Sequence, residues 1–500
     1  QYSLNTALKG VSYKYKNSLH LFPVNIIGSA IAQVSLPELS EQGSKQDYEG
    51  FKKTFNDSIQ FSMFLVLPVV VILIVLIIIF ALILNGKKDS NNNGDSNNED
   101  NIELVYWGLW EPNEVMESII SRYEDENPGV KILYSQQTFK NYESRAYTRL
   151  QQSAGSSEPA PDILRINNTW LPKFQKYLTP LPDSIMNKDE YTEMFYPTAL
   201  EDFTGTDGKI YAIPWEIDGL FVIYNKQLLY KAGYSEPPKD WDTFIEAAQK
   251  MTKRDSSGRI TESGLAIGTS RNITHSADIL SFMMLQNGAN LINDSKTEVN
   301  LTSERAISAL STYTNFAKGD KPLWASYLAN DLTTFYQGKL AMMFGPSWRA
   351  FDILQSAPQI EFGLAPLPQL PNNDPVYYSM YWGDTVSSTT EYPTQAWKFV
   401  KYLSEAEQQQ ELFSNSSKIR AFGEPYSLKS LNSNLSSNPY TKALTEMSIS
   451  MKSWQMGDQT FVEELLRNAI TEVVENGKEP SSVLSNTEKD INNQLAVSNN

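Results

Sequence analysis

Residues 61–84, FSMFLVLPVVVILIVLIIIFALIL, constrain this 500-residue chain more than any other stretch. Twenty of the 24 are Leu, Ile, Val or Phe, and only Ser62 and Pro68 interrupt the apolar run. As a helix the run reaches ~36 Å against a hydrocarbon core of ~30 Å, so a transmembrane helix is expected. Each aliphatic or Phe residue favours insertion by about 0.3–0.6 kcal/mol, which amounts to several kcal/mol over the run. A cleaved signal peptide would have a shorter apolar core and a small-residue cleavage site, and neither is present. Lys45, Lys52 and Lys53 precede the run and Lys87 and Lys88 follow it, so basic residues barely orient it. Residues 85–101, NGKKDSNNNGDSNNEDN, contain no apolar side chain and read as a flexible linker of ~20–25 Å reach. The chain therefore divides into 1–60, a membrane helix at 61–84, a linker at 85–101, and the remainder from 102.

From 102 the pattern turns globular. Residues 102–107 alternate as a strand does and run into Gly108-Leu109-Trp110-Glu111-Pro112. A helix with Met116, Ile119, Ile120 and Tyr123 on one face stops at Asn127-Pro128-Gly129. Strands at 130–134 and 161–166 follow, with a helix ending near Gln152 between them. Strands alternating with helices predict βαβ units, a mostly parallel sheet and an α/β fold class. Further on, Asp240 and Ser303 are expected to cap helices. Residues 338–348 read as a buried strand entering a tryptophan turn, Pro393 begins a helix, and Asp458 and Ser482 cap two C-terminal helices.

The charge of −16 and pI near 4.8 argue against nucleic acid, whose phosphates need Lys and Arg. With no cysteine there is no disulfide, thiolate metal site, cysteine nucleophile or lipid-modified cysteine. The two histidines, His20 and His275, exclude a His-rich zinc site and leave any Ser-His-Asp triad a single isolated histidine. No metal and no cofactor are expected. Within 208–242, two strand-like runs at 211–215 and 221–224 flank an acidic break, Glu216, Asp218 and Gly219, beside Trp215. Such a break is either a surface turn with a half-buried Trp or one wall of a groove between lobes.

Several motifs in one order carry a resemblance. They are YAIPWEIDGLFVIYNKQLLYKAGYSEPPKDWDTFIEAAQKMT at 211–252, FYQGKLAMMFGPSW at 335–348, FGLAPLP at 362–368 and WGDTVSSTTEYPTQAWKFVKYLSEAEQQQELF at 382–413. With ENPGVKI at 126–132 and APDIL at 160–164, they resemble the family 1 extracellular solute-binding proteins of ABC importers, the maltose-binding-protein-like group. The resemblance spans 102–500 and implies a two-lobe periplasmic-binding-protein-like fold with hinge-crossing strands. It places lobe 1 at about 102–214 and 379–440, and lobe 2 at about 218–378 and 441–500. Crossings are implied near 214–222, near 378–385 and around 420–445. The implied activity is binding, not catalysis, and the implied partner is the permease of an ABC importer. The implied solute is a sugar or oligosaccharide, with peptide, polyol and glycerol-phosphate ligands left open.

A second resemblance lies upstream. IIGSAIAQVSLPELSEQ and EGFKKTFNDSIQFSMFLVLPVVVILIVL, within 1–76, are similar to the lipid II flippase family. This makes 1–60 a flippase-like membrane fragment or extension. The helix at 61–84 is expected to anchor the chain where secreted members use a lipid-modified cysteine. The expectation is a monomeric receptor in the cell membrane, single-pass or more, with its binding domain extracellular. The alternatives are a flippase-related membrane protein acting through its N-terminal segment, a two-carboxylate carbohydrate-active enzyme, and an adhesin.

A carbohydrate site needs aromatic faces for apolar sugar faces, and carboxylates, amides and Arg for hydroxyls. The family pattern puts Trp107, Trp110, Glu111, Trp215, Glu216, Asp218, Trp348, Tyr381, Trp382, Asp384 and Arg420 on lobe-edge loops. Trp215, Trp348 and Trp382 lead this set; Arg349 and Trp454 are weaker candidates, and Trp241 and Trp397 read as core. For each tryptophan the alternative is a buried interface residue. For Glu111, Glu216 and Asp384 it is a solvated loop charge or a helix cap.

Overall fold

A computed structural model describes residues 52, 102–152 and 159–499. The extension expected at 1–60, the membrane helix at 61–84 and the linker at 85–101 lie outside the described residues, Lys52 apart. Among the described residues no helix is long and apolar enough to cross a membrane.

The first sheet takes β1 (Ile102–Leu109), β2 (Val130–Gln137), β3 (Ile163–Asn167), β4 (Leu178–Thr179) and β5 (Ile213–Pro214). The second takes β6 (Leu220–Asn225), β7 (Lys253–Arg254), β8 (Ile260–Leu265), β9 (Leu340–Pro346) and β10 (Phe362–Ala365). The chain then forms β11 (Tyr377–Tyr378), β12 (Trp382–Ser387) and finally β13 (Met451–Lys452). In space the first sheet runs β2-β1-β3-β12-β4, with β5 also on β12, and the second runs β10-β6-β9-β8-β7. Every residue of β3, β6, β9 and β12 is buried. Central strands covered by helices on both faces lose the in–out alternation and read as continuous apolar runs.

The sheets are mixed, not mostly parallel. β1 is parallel to β2 and β3, but β12 is antiparallel to β3, β4 and β5. In the second sheet β8 and β9 are parallel, while β6 is antiparallel to β9 and β10. The physical reason is the exchange of strands between lobes. β6 enters the second sheet straight from β5 of the first, and β12 returns from the second, so each arrives against the local strand direction.

Three passages run side by side between the sheets. Met380 N–H donates to Asp218 O at 2.9 Å, and Ser379 N–H donates to Lys452 O at 3.0 Å. β11 pairs with β13 in parallel, and Gly219 bridges Ser379. The third passage, expected around 420–445, is the strand at 451–452 instead. The stretch Lys429–Ser437 forms 3-10 turns against the helix Lys188–Met194 of the first lobe. Asp202 fastens this waist. It accepts from Tyr381 OH at 2.7 Å, Ser453 Oγ at 2.5 Å and Asn168 Nδ2 at 3.2 Å, which joins two of the passages to one helix.

Local chemistry sets the helix starts. Asp240 accepts from Thr243 N at 2.9 Å, Ser303 from Ala306 N at 3.3 Å, and Asp458 from Phe461 N at 3.1 Å. The last helix begins at Pro480 and not after Ser482, since proline's fixed φ suits the first helical position.

Gly219 is where the passages lie closest. A Cβ built there would sit 2.2 Å from Tyr378 O, a backbone atom that cannot swing away. Gly219→Ala should therefore destabilise the globular unit by about 1–3 kcal/mol. Urea denaturation checks this, and an unchanged midpoint would mean that the passages separate freely.

Candidate functional site

Strands of open α/β sheets present ligands at their carboxyl ends. Trp110 and Glu111 follow β1, Ser347 and Trp348 follow β9, and the first passage, 215–219, leads from β5 to β6. Asp218 in that passage accepts from Ser347 N at 3.2 Å and Ser347 Oγ at 2.8 Å, tying it to the end of β9.

Aromatic rings stand open on both lobes. Trp110 has φ +62°, a conformation that costs a bulky residue on the order of 1–3 kcal/mol. Its ring is 40% exposed, lies 6.1 Å from Phe139 at 28°, and meets Trp382 edge-on at 5.1 Å. Trp382 in turn meets Trp170 edge-on at 5.1 Å. Phe139 is 61% exposed, so the Trp110–Phe139 pair forms an open aromatic face backed by buried rings. On the other lobe Trp348 is 44% exposed, with the Arg349 guanidinium 4.4 Å from its ring centroid and the His275 ring at 6.5 Å.

Behind the Trp110 face sits Arg165, fully buried in β3. Its Nη1 donates to Glu111 Oε2 at 2.6 Å, its Nε to Asp384 Oδ1 at 3.0 Å and its Nη2 to Tyr106 OH at 2.5 Å. Tyr106 OH donates onward to Asp384 Oδ2 at 2.8 Å. The same guanidinium lies 3.8 Å from the Trp215 ring centroid, so one cation orients Glu111, Asp384 and Trp215 together.

Three carboxyls then meet with few cations. Glu111 and Glu216 both lie beside Glu424, which pairs with Arg420. Burial pushes Glu111 up to about 8, despite Arg165. Burial, and then the charges of Glu424, Asp218 and Glu111, hold Glu216 well above the ordinary range. Burial also raises Asp218 to about 7. Burial alone would raise Glu424 too, but Arg420 first, and then its neighbours Glu111 and Glu216, bring it down to about 2.

The sequence candidates separate by environment. Trp110 and Trp348 are open and Trp107 is half-buried. Glu111, Trp215, Glu216, Glu424 and Arg420 form one group, in which the Trp215 indole N–H and Glu111 Oε1 have no protein donor or acceptor. Trp382 is a buried support for Trp110. Tyr381, fully buried on Asp202, and Asp384, held by Arg165 and Tyr106, sit behind the surface. Asp218 is occupied by Gly219 N and by Ser347. Arg349 reaches Asp352 and His275, and Trp454 is buried.

Arg165, Phe139 and Glu424 were not among the sequence candidates. Arg165 carried a signal: a charge in the middle of the apolar strand ILRIN must find buried partners. Phe139 and Glu424 had no local mark. Among the described residues no group of His, Asp and Glu is placed to hold a metal ion.

Open rings with carboxyls, a guanidinium and an indole N–H below them suit a solute with apolar faces and many hydroxyls. A binding protein of Brucella abortus is 26% identical over 292 residues, covering 57% of this chain and 67% of its own. The maltodextrin-binding protein of Bacillus subtilis is 26% identical over 305 residues, covering 58% and 66%. The ABC substrate-binding protein of Listeria monocytogenes in complex with cycloalternan shares the fold, with a TM-score of 0.59 at 22% identity over 79% of this chain and 100% of that one. Residues 6–93 match the family model of the lipid II flippase. Residues 110–410 match that of the bacterial extracellular solute-binding proteins, and the chain belongs to that family.

Proposed function

We infer that this chain is a membrane-anchored extracellular receptor that takes a sugar or oligosaccharide into the cleft beside 215–219 and delivers it to an ABC importer. The observation that carries the reading is the pair of open aromatic faces, Trp110 with Phe139 on one lobe and Trp348 on the other, at the carboxyl ends of β1 and β9. Glu111, Trp215, Glu216 and Arg420 are the polar groups we assign to the solute's hydroxyls, with Asp218, Tyr381, Trp382 and Asp384 positioning them. Relatives named for maltodextrin and diacetylchitobiose support a carbohydrate. The reading is non-enzymatic, with the two lobes closing about the waist. The segment matching the flippase family includes 61–84, to which we assign the anchor. A receptor tethered beside its permease meets it at high effective concentration.

A thermal-shift screen with maltodextrins, chito-oligosaccharides and arabino-oligosaccharides tests the reading. Solute at a hundred times its Kd should stabilise the protein by about 2.7 kcal/mol. A screen with no shift for any carbohydrate would reject it. Trp348→Ala should weaken binding of the hit by about 2 kcal/mol, roughly thirtyfold, because an open ring that stacks on a sugar acts as a binding hot spot. Calorimetry measures this, and unchanged affinity would remove Trp348 from the site.

A further inference from the structure

The chain has two histidines, and His275 is the one among the described residues. Its backbone is pinned on both sides. Thr274 N–H donates to Asp331 Oδ2 at 3.0 Å and Thr274 Oγ1 to Asp331 Oδ1 at 2.8 Å. His275 O accepts from Ile279 N at 2.9 Å, which starts the helix Ser276–Gln286. The imidazole is buried, and its two nitrogens meet two different groups. Nδ1 lies 3.0 Å from Oδ2 of Asp278, itself buried in the first turn of that helix. Nε2 lies 3.4 Å from Nη2 of Arg349.

These two neighbours fix the proton on the ring. A guanidinium has only donors, so Nε2 must offer its lone pair to Arg349. A carboxylate only accepts, so Nδ1 must carry the hydrogen. An imidazolium, or the Nε2–H tautomer, would set N–H against N–H at Arg349. The same contact explains where Arg349 lies. It opens the helix Arg349–Ser356, and its Nη1 donates at 2.6 Å to Asp352, whose side chain is 44% exposed. With that partner alone the guanidinium would follow Asp352 toward water. Its Nε–H is buried and has no protein acceptor. His275 is thus the buried partner that keeps the guanidinium 4.4 Å from the Trp348 ring centroid, and the imidazole meets the same ring edge-on at 6.5 Å.

We propose that His275, in its Nδ1–H tautomer, is a positioning residue for Trp348: it holds Arg349 against the indole and so fixes the open ring before a solute arrives. The order of contacts runs Asp278, His275, Arg349, Trp348. An exposed indole already held in place loses little rotamer freedom on binding, which favours affinity. The positioning rests on these contacts alone. Its effect on affinity rests on the carbohydrate reading given above.

Nitrogen NMR of the full-length protein, labelled at its histidine rings, reads the tautomer directly at about pH 8. His275 should show a protonated Nδ1 and a bare Nε2; the signal is told from that of His20 by its loss in His275→Gln. The Nε2–H tautomer or an imidazolium would overturn the proposal, and this measurement needs neither variant nor solute. Fluorine NMR of the fluorotryptophan-labelled protein then follows Trp348, assigned through Trp348→Phe. In His275→Asn, whose amide reaches Asp278 but not Arg349, the Trp348 line should move and broaden. In His275→Gln, whose amide oxygen can take the place of Nε2, it should return toward the wild-type line. An unmoved line in His275→Asn, or the same change in both variants, would also overturn it. With the hit of the carbohydrate screen, His275→Asn should weaken binding about threefold to tenfold and His275→Gln less than about twofold. Equal losses in both would mean that the imidazole serves only the fold. If no carbohydrate binds, the two solute-free measurements still decide the positioning, so its failure is told apart from that of the carbohydrate reading.

Discussion

Arg165→Met should destabilise the first lobe by about 3–5 kcal/mol, the usual cost of removing one member of a buried ion pair. The guanidinium is fully buried and donates separately to Glu111 and Asp384, so its loss strands two carboxyls in a dry interior. Trp215 loses the cation beneath its ring as well. Arg165→Lys should recover less than half of the loss. A single ammonium cannot reach both carboxyls in the planar fork geometry and also stack on an indole. Equilibrium urea unfolding of the three proteins tests this. Wild-type stability in Arg165→Met would mean that both carboxyls are held by protons and not by the cation.

The second large effect is on pH. Burial raises Asp202 to about 6, Asp218 and Glu463 to about 7, and Glu111 to about 8; the charge of Asp278 further raises Glu463. Unfolded carboxyls titrate near 4. Between about pH 4 and pH 8 the folded chain therefore binds more protons than the unfolded one. Stability from these groups is complete below the unfolded values and is lost as pH rises through the folded ones. A tenfold difference in proton affinity between the folded and unfolded chain corresponds to about 1.4 kcal/mol, so the loss should reach several kcal/mol by pH 9. Glu424, lowered to about 2, works the other way, and its stabilisation is lost below about pH 4. The temperature of unfolding should peak near pH 5 and fall steadily toward pH 9. A maximum at pH 7 to 8 would show that these carboxyls are ionised in the folded protein.

Much of the architecture was legible in local patterns. The Asp240, Ser303 and Asp458 caps could be read from residue type and position, because a cap's partner lies within three residues. The buried strands β6 and β9 could be read as apolar runs. The candidate site was legible as a set of loops, but not as a division of labour. Trp215, Trp348 and Trp382 looked alike in sequence, each beside Gly, Pro or an acid. In the fold, Trp348 is open, Trp382 supports another ring, and Trp215 lies on a buried guanidinium. Strand direction failed for a similar reason, since β12 is antiparallel only because the chain has visited the other lobe.

By itself, then, the sequence determined the apolar run at 61–84, the α/β elements of the globular unit, their caps, and the ordered motifs that identify the family. Only the tertiary structure decided which acids are buried together, which rings face solvent, and where the third passage crosses. Those properties arise between residues far apart in the chain. Glu111 lies beside Glu424, Asp384 meets Arg165, and Ser453 meets Asp202, and the desolvation that sets their chemistry exists only once the chain has packed around them.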